Sequence, residues 1–205
     1  MEQIYDLNLW GGSDTPFYSG DGSHNPIIVD PYIKSVKAFL QSFGKPISIC
    51  DLGCGDFNIG RQLLEFTSLY QAIDIVEALI NYNATVFIDN RLSFQCLDIA
   101  KNDLPSADCV IIRQVLQHLS NSEISNIVSK IQKYQYIILT EHLPNGDFVP
   151  NLDIISGQGI RLKKKSGVML TSAPFNLKPV VDKKLCSIEL SGNKGVIETR
   201  LYEMW

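Results

Sequence analysis

One stretch, Ile47-Ser-Ile-Cys-Asp-Leu-Gly-Cys-Gly-Asp-Phe-Asn58, constrains the fold of this 205-residue chain more than any other. A short apolar run, Ile47 to Cys50, ends in Asp51 and turns through Gly53 and Gly55 into a helical pattern. Strand, glycine turn and helix make the unit that brings backbone N–H groups and a helix N-terminus close to a ligand. The segment departs from a dinucleotide loop in two ways. Asn58 stands where G-x-G-x-x-G has its third glycine, and Asp51 precedes the first. A carboxylate there repels a pyrophosphate and suits a ligand carrying an amine and a sulfonium charge.

Apolar strands and amphipathic helices alternate along the rest of the chain. Asp30 as N-cap and Pro31 in the first turn predict a helix with Tyr32, Ile33, Val36, Phe39, Leu40 and Phe43 on its apolar face, stopped by Gly44. A helix through Ile59, Leu63, Leu64 and Phe66 follows the glycine turn, and Val76, Leu79 and Ile80 mark another. Tyr70 to Ile73, Phe94 to Leu97, Val110 to Ile112 and Tyr136 to Leu139 read as strands. Ser120-Asn-Ser-Glu123 is a capping box for a helix through Ile124, Ile127, Val128 and Ile131. Continuous apolar strands between such helices predict a parallel sheet covered on both faces. The last third changes character, with strands expected over Gly167–Thr171, Leu185–Leu190 and Val196–Tyr202, the last two joined by a turn at Ser191–Gly195.

Three acids, Asp51, Asp74 and Asp98, each close a strand. Ligands of an open α/β sheet lie across the carboxyl ends of its strands, so the three would line one cleft. A carboxylate at Asp74, one helical crossover beyond Asp51, can accept both hydroxyls of a ribose. Asp98 with Ile99 fits an adenine clamp. The alternative is that these acids only cap the helices that follow.

Charged residues are 20% of the chain and the net charge is −4, so no basic footprint for nucleic acid or an anionic membrane is present. No apolar run is long enough to span a bilayer, and the start lacks the basic and apolar regions of a signal peptide. The length suits one domain, with residues 1–29 as a glycine-rich lid or tail and 30–205 as the body. Five cysteines, most beside apolar runs, read as packed free thiols in a reducing, cytoplasmic compartment. Cys50 and Cys54 lack a second pair at zinc spacing, and no metal is expected.

D-x-G-x-G at the end of a first strand resembles motif I of the class I S-adenosylmethionine (SAM) dependent methyltransferases. Leu9-Trp-Gly-Gly12, Ser19-Gly-Asp-Gly-Ser23, Ile73-Asp-Ile-Val76, Arg113-Gln-Val-Leu-Gln-His-Leu-Ser120 and Pro174-Phe-Asn-Leu177 extend the likeness to one bacterial group of them. That group carries C-G-D-F-N-W at motif I and R-D-x-L-x-H-L-S after the fourth strand. This chain departs with Ile59 for the tryptophan and Gln114 for the acid. The resemblance implies a Rossmann-like domain with a mostly parallel seven-stranded sheet, an antiparallel C-terminal hairpin and SAM as cofactor. It places Asp51, Gly53, Cys54, Gly55, Asp56, Asn58, Asp74, Ile75, Asp98, Ile99 and Arg113 around that cofactor.

Transfer to an oxygen or nitrogen acceptor calls for a general base, and histidine is the usual choice. His142, just beyond the fifth strand, is expected to overlook the acceptor, with His118 near the cofactor end of the fourth as the other candidate. His24 belongs to the glycine-rich segment. Some related quinone-pathway enzymes have two acids before the equivalent of His118 that suit a divalent metal; Gln114 and Gln117 stand there and are poor ligands. Arg161-Leu-Lys-Lys-Lys165 is either a solvated turn or a contact for an anionic acceptor such as a sugar phosphate. Trp10 and Tyr18 could pack on a cofactor or sugar. SAM-dependent methylation of a small molecule or saccharide is the leading expectation. A catalytically inactive SAM-binding protein and a nicotinamide oxidoreductase are the alternatives.

Overall fold

The computed structural model describes Gly11 and residues 16–205; Leu9, Trp10 and Gly12 of the first motif lie outside the described residues. The strands are β1 (Ile47–Leu52), β2 (Thr67–Asp74), β3 (Leu92–Cys96), β4 (Cys109–Arg113), β5 (Tyr136–Leu143), β6 (Val181–Glu189) and β7 (Val196–Glu203). They form one seven-stranded sheet in the order β3-β2-β1-β4-β5-β7-β6. β1 to β5 run parallel, whereas β7 is antiparallel to both β5 and β6. The order reverses between β1 and β4, and that switch point is where an open sheet leaves room for a ligand.

The helices are α1 (Asp21–His24), α2 (Pro26–Gln41), α3 (Glu77–Val86) and α4 (Asn121–Ile131). Alternation along the strands builds a core on each face of the sheet. Cys50, Leu52, Val110 and Ile112 pack with Ile124, Ile127 and Ile131 of α4, while Ile49 and Ile111 point the other way onto Val29, Tyr32 and Val36 of α2. Each such buried aliphatic side chain stabilises the fold by about 1.5–3 kcal/mol.

Ser120 caps α4 as expected, its hydroxyl accepting from the Glu123 N–H while the Glu123 carboxylate accepts from the Ser120 N–H. Three local expectations are corrected. The first helix starts at Pro26, not Asp30, because Asn25 Oδ1 accepts from the Ile27 N–H at 3.0 Å and Pro26 takes the first position. Pro31 sits in the second turn, where it forgoes the bond to the Ile27 carbonyl. The helix expected through Ile59–Phe66 is two 3-10 turns, Gly60–Gln62 and Leu64–Phe66. Phe57, just before these turns, takes φ +60°. Its ring sits edge-on to Tyr70, Phe87 and Phe94 at centroid distances of 5.4, 5.2 and 5.0 Å. Residues Gly167–Thr171 form no strand; they follow a 3-10 turn at Arg161–Lys164.

Candidate functional site

A cavity of about 600 Å³ lies across the carboxyl ends of β1 to β4, at the switch point. Its floor is the glycine turn. Gly53 and Gly55 take φ +84° and +55°, and the Gly53 and Cys54 N–H groups donate to the Ile73 carbonyl at 2.8 and 2.9 Å. A Cβ on Gly53 would lie 2.3 Å from Val115 Cγ2. The Asp74 carboxylate accepts from the Gly55 N–H at 3.2 Å and the Val76 N–H at 3.1 Å, and Asn83 Nδ2 donates to the Gly55 carbonyl at 2.8 Å. Desolvation raises the Asp74 pKa against the pull of those N–H donors.

Asp74, Ile75, Asp98, Ile99 and Ala100 follow along the same wall. Burial pushes the Asp98 carboxyl up, but Lys101 at 2.9 Å and the Ala100 N–H outweigh it and hold the group below its ordinary value.

Ser19 to Ser23 line the cavity from above. Arg113 holds this segment, donating from Nη2 to the Gly22 carbonyl and from Nη1 to Ser23 Oγ, with its guanidinium 4.9 Å over the Tyr32 ring. Asn58 Nδ2 donates to the Ser23 carbonyl at 2.7 Å. The Asp56 carboxylate accepts from the Ser19 N–H at 2.9 Å and meets His24 Nε2 at 2.5 Å. Tyr18 stacks on His24 and donates to Asp21.

The opposite wall is Gln114, Gln117, His118, Glu123, Gln158 and Ile160. Gln114 takes φ +55°, an unusual conformation for a residue with a side chain, and its N–H donates to the Thr140 carbonyl at 2.7 Å. His118 is buried, and burial lowers its pKa below 6.5 against the opposing backbone of Gly157–Gly159. The imidazole is therefore neutral at pH 7 and able to take a proton.

Gly53, Cys54, Gly55, Asp74, Ile75, Asp98, Ile99, Arg113 and His118 thus all border one cavity. The other expected residues stand elsewhere. Asp51 lies behind the turn, where it accepts from the Tyr70 hydroxyl at 2.8 Å, and burial raises its pKa to about 7. Asp56 and Asn58 are turned to residues 19–24. His142 is not part of the cavity lining; its Nε2 donates to the Lys194 carbonyl at 2.7 Å beside the β6–β7 turn. The basic cluster does not line the cavity either. Arg161 is buried among backbone carbonyls and Lys163 to Lys165 are exposed away from the cavity. Sequence reasoning missed Gln158 and Ile160, which sit in an irregular loop without periodicity. Glu123 was visible only as a helix cap.

No family model and no curated protein matches the chain. Solved structures do. The N-methyltransferase NodS from Bradyrhizobium japonicum, in complex with S-adenosylhomocysteine (SAH), matches at 13% identity over 99% of both chains, with a TM-score of 0.66. Magnesium protoporphyrin IX methyltransferase from Synechocystis with bound SAH matches at 16% identity over 100% of this chain and 94% of that one, TM-score 0.60. The citrinin polyketide synthase CMeT domain matches at 14% identity and TM-score 0.61, over 87% of this chain and 53% of that one. This chain therefore has the class I methyltransferase fold. Its mostly parallel seven-stranded sheet and antiparallel C-terminal hairpin are those the resemblance implied.

Proposed function

We propose that the chain is a SAM-dependent methyltransferase acting on a small-molecule or saccharide acceptor, by O-methylation. The observation that carries this is the run of Gly53–Gly55, Asp74 and Asp98 along one wall of a cavity at the switch point. In this reading Asp74 accepts from the ribose hydroxyls, and Asp98 with Ile99 and Ile75 holds the adenine. Asp51 stands behind the turn and would contribute its charge there in its ionised form, which a pKa of about 7 leaves about half populated near neutral pH. Asp56, Asn58 and Arg113 keep residues 19–23 over the bound cofactor. SAM supplies an electrophilic methyl carbon when bound. His118, rather than His142, would take the acceptor's proton, and the cofactor, when bound, would supply the methyl group and leave as SAH.

The charged side chains of the lining are Asp21, Asp74, Asp98, Glu123 and Arg113, and the last is engaged with the lid. That balance supports a neutral or cationic acceptor over a phosphorylated one. The five free cysteines support a reducing compartment such as the cytoplasm. Calorimetric titration with SAH and with NADH tests the proposal: heat with SAH alone is expected, and heat with NADH alone overturns it. Screening sugars, sugar phosphates and amines for SAH release then identifies the acceptor. Binding without turnover across that panel would favour an inactive SAM-binding protein, a reading that the uncharged Gln114 supports.

A further inference from the structure

Arg161 is 1% exposed, and among the described residues it has no carboxylate within ion-pair distance. Its guanidinium instead donates to four carbonyls and one amide oxygen. Nε reaches Leu152 O at 3.0 Å, Nη1 reaches Leu116 O and Gln117 O at 3.1 and 3.4 Å, and Nη2 reaches Leu119 O and Asn121 Oδ1 at 2.7 and 2.8 Å. Leu116–His118 is a single 3-10 turn, so its carbonyls have few partners of their own and need donors when buried. A planar group with five N–H donors can satisfy them from one point; an ammonium cannot span them.

The same turn is stitched to the loop 151–161 at further points. The Gly157 N–H donates to the His118 carbonyl at 3.0 Å, the Ser120 N–H to Ser156 Oγ at 2.7 Å, and the Asn121 N–H to Asp153 Oδ1 at 2.8 Å. Gln158 and Ile160, which border the cavity, come from that loop. We propose that Arg161 is a positioning residue for His118: by gripping Leu116, Gln117 and Leu119 on one side and Leu152 on the other, it fixes the imidazole at the cavity wall. The inference rests on the methyltransferase reading for the use of His118, not for its geometry. Gln117, Glu123 and Glu141 are the polar and charged neighbours of this turn, and Glu141 is buried beneath it, next to the Arg161 charge.

Arg161→Lys is the test, because it keeps the charge and removes the fork. The chain has three histidines, so each imidazole can be titrated separately by NMR. In the lysine variant the His118 pKa is expected to rise by roughly half a unit or more as water reaches the loosened turn, while His24 and His142 titrate as before. Asn121→Ala, which removes one of the five acceptors of Arg161 together with the Nδ2 bond to the Asn151 carbonyl, should move His118 the same way by less, and serves if the lysine variant does not fold. An unmoved His118 titration in a folded variant that still binds SAH overturns the positioning role. Failure of the native chain to bind SAH overturns the methyltransferase reading instead.

Discussion

The Tyr70 hydroxyl donates to the Asp51 carboxylate at 2.8 Å, with both side chains buried between β1 and β2. The acid that leads the glycine turn is therefore held inside the core, and its protonation is coupled to folding. Burial raises its pKa to about 7, with the Tyr70 bond and Arg113 opposing and Asp74 assisting.

A raised carboxyl pKa means that the folded chain keeps a proton which the unfolded chain releases near pH 4. The stability linked to Asp51 is thus complete below about pH 4 and declines as pH rises to about 7. Asp51→Asn cannot titrate. Its stability relative to the native chain should grow between pH 4 and pH 7, by as much as about 4 kcal/mol. Urea midpoints at pH 4.5 and 7.5 measure this, and an unchanging difference assigns Asp51 an ordinary pKa.

Asp74→Asn keeps the shape of the side chain and loses its charge. The dissociation constant for SAH should rise roughly tenfold through loss of a charged acceptor worth about 1.5–3 kcal/mol. Asp74→Ala additionally strands the Gly55 and Val76 N–H groups, so thermal melting should fall in that variant and less so in the asparagine one. Calorimetry at unchanged affinity in a folded variant would take Asp74 out of the site.

Gly53→Ala meets two obstacles, a backbone at φ +84° and Val115 Cγ2 at 2.3 Å. It should destabilise the chain by about 1–3 kcal/mol and weaken SAH binding, since Val115 leads into the turn that carries His118. Gly55→Val, with a branched side chain at φ +55°, should abolish binding. A Gly55→Val variant with native affinity would make the turn ordinary structure.

With the acceptor in hand, His118→Ala should lower turnover by roughly 10²–10⁴-fold. Because burial holds the His118 pKa below 6.5, native turnover should fall only as the pH drops beneath that value, and this acid limb should vanish in the variant. His142→Ala loses its contact with Lys194 and should turn over nearly as the native chain does. Reversal of the two results would restore His142 as the base.

Asp56→Ala removes the acceptor for Ser19 and His24. Limited proteolysis should then cut within residues 16–24 faster, and SAH should dissociate several-fold sooner, read by stopped-flow displacement. Equal cleavage and dissociation rates would mean that Arg113 and Asn58 suffice to hold the segment.

Much of this architecture is legible locally. Gly167–Thr171 apart, the apolar strands and the Ser120 capping box depend on neighbours two to four residues away and form where the local pattern places them, with Asp51, Asp74 and Asp98 within two residues of a strand end. What the sequence hides is decided at long range. Phe57 takes φ +60° ahead of two short 3-10 turns, and three aromatic rings from β2, β3 and the loop after α3 receive its side chain. The expected start at Asp30-Pro31 falls inside α2, because the Asn25 side chain caps the helix at Pro26. Arg161 looks like surface charge beside three lysines, yet the carbonyls it serves lie up to 45 residues away. His142 stands at the expected strand end, but the neighbouring β6–β7 turn draws its ring away from the cavity.

Gly55 is fastened at both ends, its N–H to Asp74 and its carbonyl to Asn83 of α3. The floor of the cavity is therefore shaped by the protein's own helix and strand before any ligand arrives. Loop ordering, which ordinarily opposes association, has been completed in the folding step. A ligand settling on this turn should cause little entropy loss there, and whatever ordering accompanies its capture falls to residues 19–24.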